Sequence, residues 1–97
     1  MIKQEFMSEV NVLEKKLRMS LSFGYESFAE FVIGYFYDEK ERKWKVFVNY
    51  DRTRHYIKLV TENETEVYNM VLKLMRYNIG RDEYDRFGKE DRKEDSR

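Results

Sequence analysis

The chain holds one histidine, His55, and no cysteine. Any nucleophilic triad or imidazole-based metal site would therefore have to run through that single ring, and thiolate chemistry is excluded. Tyr50, Asp51, Arg52, Arg54 and Tyr56 surround it in sequence, and an aspartate, a histidine and a tyrosine so close together could move a proton as general acid and base. A hydrolase needs more: a nucleophile beside the base and a glycine-rich loop to hold an oxyanion. Neither pattern occurs, so these residues read as a charged turn facing water. The paired acids Asp38-Glu39, Asp82-Glu83 and Glu94-Asp95 lie among bases, whereas acid catalysis needs a carboxyl withdrawn from water. No zinc or EF-hand spacing is present, and the glycines at 24, 34, 80 and 88 are isolated, so no loop cradles a phosphate. The expectation is a protein that is not an enzyme, with no cofactor and no metal.

Charge carries a stronger signal. Nineteen Lys and Arg cancel nineteen Asp and Glu, so no whole-molecule field draws the chain to nucleic acid or membrane. The balance is uneven along the sequence: residues 40 to 58 hold seven bases and two acids. Lys45, Phe47, Tyr56 and Lys58, with Arg52 and Arg54 at the rim, offer cations for phosphates and rings for stacking. Phe36 adds an aromatic from the preceding strand. Phe36, Lys45, Phe47, Arg52, Arg54, Tyr56 and Lys58 are accordingly the candidate partner-binding residues. Acids in the turns oppose binding to a polyanion.

These residues must be positioned by regular elements, and hydrophobic spacing locates them. Ile2, Phe6, Val10, Leu13 and Leu17 form one stripe of an N-terminal α-helix, with Ser20 to Gly24 as its exit. Residues 28 to 37, 44 to 50 and 55 to 60 have the aromatic and β-branched content of three strands joined by polar turns, an antiparallel meander. Thr61-Glu62-Asn63-Glu64 has the form of a capping box and starts a second helix that Gly80 should end. From 81 to 97, thirteen of seventeen residues are charged, the composition of a mobile tail.

Pairing Tyr37 with Trp44, Tyr35 with Val46, Ile33 with Val48 and Phe31 with Tyr50 puts apolar partners on one face. Continuing with Tyr50 opposite His55, Val48 opposite Ile57 and Val46 opposite Leu59 completes a core of Phe31, Ile33, Tyr35, Trp44, Val46, Val48, Ile57 and Leu59. Both helices pack there, giving a two-layer α+β domain over residues 1 to 80, ordered αβββα. The other face, with Val32, Gly34, Phe36, Lys45, Phe47, Asn49, Tyr56, Lys58 and Val60, is either a contact surface or is covered by the tail, a helix or the 19 to 27 segment.

The order helix, three antiparallel strands, helix resembles that of the double-stranded RNA-binding domain. That family's second helix opens with a small-residue and lysine-rich motif that grips phosphates, whereas this one opens Thr61-Glu62-Asn63-Glu64-Thr65-Glu66, so no binding residue carries over. In character, a short chain without cysteine or proline and rich in Lys, Glu and Tyr looks like the accessory proteins of phages, archaeal viruses and toxin-immunity cassettes, anti-CRISPR proteins among them. The expectation is a cytoplasmic protein-binding module, an inhibitor or immunity-type partner that occupies another protein's surface. Binding of nucleic acid through the basic hairpin is the alternative, and a homodimer through the open sheet face is a third arrangement. No apolar run approaches the roughly 20 residues of a membrane span, so no membrane partner is expected.

Overall fold

A computed structural model describes residues 1–84. The elements are α1 (Lys3–Glu14), β1 (Ser20–Phe23), β2 (Val32–Asp38), β3 (Lys43–Asp51), β4 (Arg54–Thr61) and α2 (Glu64–Glu83). The class is α+β, but the sheet has four strands in the order β1-β2-β3-β4 and is mixed. β1, expected only as a helix exit, lies parallel to β2, while β2–β3 and β3–β4 are antiparallel. Ser20-Leu21-Ser22-Phe23 alternates strictly, and its pairing sets Leu21 beside Ile33 and Phe23 beside Tyr35 on the helix side. The extra strand and its direction separate this fold from the RNA-binding order.

The helix side of the sheet is the main core. Phe6 and Val10 of α1 and Val67, Val71, Leu72 and Met75 of α2 are fully buried against Ile33, Val46 and Val48. Phe6 stacks on Tyr68 at 4.5 Å and meets Phe23 at 5.5 Å, so α1 sits above β1 and β2. Burial is the first cause, and a hydrogen bond to the Glu64 carboxylate the second, that pushes the Tyr68 hydroxyl up to about 12. Ile2, placed in the stripe by spacing, is exposed.

The β2–β3 register agrees with expectation: Tyr37 faces Trp44, Tyr35 faces Val46 and Ile33 faces Val48. Phe31 does not extend it. With φ of 52° it turns the chain into β2 and stays 53% exposed, so it is not core. The β3–β4 register differs because two residues interrupt the ladder. Val46 faces Leu59 but Phe47 faces Ile57, leaving Lys58 unpaired, and Asn49 faces His55 while Asp51 faces Arg54, leaving Tyr50 unpaired. Each such bulge resets side-chain parity. Val48 therefore meets Tyr56 rather than Ile57, His55 meets Asn49 rather than Tyr50, and Ile57 is turned out of the core, 42% exposed.

Helix α2 starts two residues later than the capping-box reading places it. Asn63 is the cap, its side chain accepting from the Thr65 N–H at 2.8 Å. Thr61 instead braces the entry, accepting from the Asn63 N–H and donating to Glu66. Nor does Gly80 stop the helix. Asp82, two residues on, is held by Arg18 at 3.1 Å, and Arg81 lies over the Tyr50 ring at 5.5 Å; these contacts carry the helix through a glycine with open space around it. α2 thus runs on to Glu83, and the expectation of a tail, from 85 to 97, lies outside the described residues. Among the described residues no helix is long and apolar enough to cross a membrane.

Candidate functional site

The second face of the sheet is covered over Val32, Phe47 and Asn49, which are buried, while Ile57 and Val60 on β4 stay exposed. Residues 24–31 link β1 to its parallel neighbour β2 and return across that face, which is how eight residues make a crossover that usually takes a helix. Asn49 secures them from below: its amide nitrogen donates to the Ser27 and Ala29 carbonyls at 2.8 and 2.9 Å. With the nitrogen so committed, the Asn49 amide oxygen faces Nδ1 of His55, while Nε2 of His55 faces Glu26 at 3.0 Å. Phe28 and Phe47 sandwich the imidazole at centroid distances of 4.5 and 5.2 Å. His55 thus ties the crossover down through Glu26. Asp51, its supposed acid partner, is engaged elsewhere, with Thr53 and Arg54.

Closure removes Phe47 from any contact surface, since it is 0% exposed. It lies opposite Gly34, where a Cβ would stand 2.6 Å from the Phe47 ring and 2.2 Å from the Ser22 carbonyl oxygen, so the glycine is required by close approach of β1 and an aromatic. Phe36 is half-buried beside Phe47 at 5.9 Å. Lys45, also on this side, bonds Asp38 at 2.9 Å and Glu41 at 3.3 Å. The Asp38 hydrogen bond raises the ammonium's pKa, and the same bond, with a smaller contribution from the Glu41 N–H, lowers that of the carboxyl. Arg52 reaches across to Glu30 on the crossover at 3.2 Å.

The other three candidates face the opposite way. Because the bulge at Lys58 resets parity, Tyr56 and Lys58 come to the α2 side, with Arg54 beside them. They form one wall of a concavity of about 520 Å³ whose floor and second wall are Tyr50, Met70, Lys73, Leu74, Tyr77 and Arg81. A smaller hollow of about 370 Å³ continues it past Arg54 and Arg81 toward Leu17, Arg18 and Asp82. The larger cleft is lined by four bases, three tyrosines and no acid. Comparison of the chain with family models, curated proteins and solved structures finds no match. The cleft must be interpreted from its own chemistry.

Arg54 is a fixed element of that wall. Its Nε bonds Asp51 Oδ2 at 2.7 Å, and this bond raises its pKa. Asp51 is pulled down to about 2, chiefly by the Thr53 hydroxyl and N–H and then by Arg54. Lys58, Lys73 and Arg81 take part in no ion pair among the described residues. Lys58 leans over the Tyr56 ring at 5.2 Å and Arg81 over Tyr50, so the rings hold the cations in place without neutralising them. Tyr77 is 60% and Tyr56 41% exposed. The candidate set by sequence missed Tyr50, Lys73, Tyr77 and Arg81. The signal was present in the spacing Lys73, Tyr77, Arg81, four apart on one helical stripe beside the apolar one. Among the described residues no group of three or more His, Asp or Glu is placed to hold a metal ion.

Proposed function

We propose that this protein is a non-enzymatic protein-binding module, an inhibitor or immunity-type accessory protein of a mobile element, acting in the cytoplasm by occupying a partner's surface through the cleft between β4 and α2. The observation that carries the proposal is the cleft lining. Tyr50, Tyr56, Tyr77, Arg54, Arg81 and Met70 are of the types enriched where proteins dock, because such side chains offer large contact area with a polar handle. They stand on two strands, β3 and β4, and a helix packed on one core, so little ordering entropy is lost on contact. On the face across the sheet Phe47, expected there as an anchor, is enclosed.

Nucleic-acid binding is the second reading, favoured by the four bases and three rings lining the cleft without an acid. Capture from nuclease-treated host extract separates the two. Wild-type protein should retain a partner that the double variant Tyr56→Ala/Tyr77→Ala loses, each truncation costing about 2 kcal/mol of binding. Capture that vanishes with nuclease, and whose affinity falls steeply on a log–log salt plot, decides for nucleic acid.

A further inference from the structure

Within the reading of the cleft as a protein-docking surface, on which this inference rests, we infer that its occupant is a short acidic segment of the partner, an extended stretch carrying carboxylates on alternate residues. The cations of the cleft are unequal. Arg54 is held by Asp51, whereas Lys58, Lys73 and Arg81 converge on the same hollow from two elements without a carboxylate partner. Lys73 and Arg81 are eight residues apart on α2, about 12 Å at 1.5 Å per residue. Alternate side chains of an extended peptide recur at about 6.6 Å, so carboxylates at positions i, i+2 and i+4 span that distance. The tyrosine hydroxyls add donors that a carboxylate, an acceptor only, can use.

The ends of the cleft limit its occupant. One helical turn before Met70 stands Glu66, with Glu62 and Glu64 behind it, and Asp82 and Glu83 follow Arg81. The positive stripe is therefore about two to three helical turns long. A single strand of nucleic acid engages over about 4 nucleotides or more along a continuous positive groove, whereas here Glu66 stands at one end and Asp82, paired with Arg18, at the other. A compact run of side-chain carboxylates fits between them.

The test uses the full chain and fluorescein-labelled hexaglutamate, with hexaglutamine and hexathymidylate as comparison probes, followed by anisotropy at one fixed salt concentration. Hexaglutamate is expected to bind at least tenfold more tightly than either comparison probe. Lys73→Glu/Arg81→Glu should weaken it at least tenfold. Lys15→Glu/Lys16→Glu, the same change of net charge on exposed residues after α1, should leave it within twofold. If the cleft pair lowers the melting temperature, Lys73→Gln and Arg81→Gln, singly, should each weaken binding at least threefold in a folded protein. Equal binding of hexaglutamine, equal loss in the α1 pair, or tighter binding of hexathymidylate overturns the inference. A protein partner captured through Tyr56 and Tyr77, with hexaglutamate no better than hexaglutamine, defeats the acidic segment alone. Nuclease-sensitive capture defeats the docking reading with it.

Discussion

The two faces of the sheet are closed by different physics. On the helix side, Phe6, Val67, Val71, Leu72 and Met75 fill the space above Ile33, Val46 and Val48, and the cover holds because apolar area leaves water. On the other side a single crossover covers the sheet over Val32, Phe47 and Asn49, held by two carbonyls on Asn49, the His55 to Glu26 contact and the Phe28 ring. Neighbouring residues of β3, Val48 and Asn49, are both buried, yet one supports its cover by volume and the other by direction. A volume-filled face tolerates slight changes of shape, whereas a face closed by hydrogen bonds depends on each partner being present.

Phe47→Ala gives the largest expected effect and the most direct attack on that contrast. Because Phe47 is as enclosed as any helix-side residue, truncation should cost about 3–5 kcal/mol in urea unfolding. A cost below 1 kcal/mol would mean that the crossover only rests on the sheet. Asn49→Leu comes next, at about 1–3 kcal/mol, since it leaves two carbonyls and an imidazole nitrogen without their partner. Hydrogen exchange should then quicken at the Ser20 and Gly24 amides, which bond across to Phe31 and Tyr35, while α2 amides keep their protection. Uniform quickening in both regions would show that the two covers open together.

The smallest effect concerns the hairpin turn that carries Arg54. The Asp51 carboxyl is held down at about 2, below its ordinary value of about 3.9. A depressed value means that the ionised form is favoured on folding. Its contribution is complete above the ordinary value and disappears as pH falls through about 2. Asp51→Asn should therefore lower the urea midpoint slightly near neutral pH, and the two proteins should converge by about pH 2. A gap that stays constant over that range would assign the effect to the turn hydrogen bonds and not to charge.

Much of this architecture was legible where side-chain period and burial agree. The stripe of α1 and the β2–β3 register follow from apolar partners that only one alignment brings together. β1 escaped because four residues, Ser20-Leu21-Ser22-Phe23, make too short a period to stand out from a helix exit, and its pairing is with a strand eight residues further on. Bulges are invisible to parity: counting by twos from Trp44 sends Ile57 inward and Tyr56 outward, and one unpaired residue at Lys58 exchanges them. Tyr56 and Lys58, expected on the second face, thus lie on the α2 side. Lys73, Tyr77 and Arg81 were passed over because a charged residue beside an apolar helical stripe ordinarily faces water, and only the tertiary position of β4 turns them into a wall.

The strand order β1-β2-β3-β4 also bears on how the chain reaches its native state. Every paired strand neighbours its partner in sequence, so no step of sheet assembly closes a long loop, and the entropic cost of each closure stays small. Among the described residues, the ion pairs that span the most sequence tie the N-terminal part of the chain to α2, through Glu9 to Arg76 and Arg18 to Asp82. Sheet pairing is thereby local in sequence, while α1 packs on α2, the element farthest from it along the chain. The cleft, lined by residues of β3, β4 and α2, is built from three elements that follow one another along the chain.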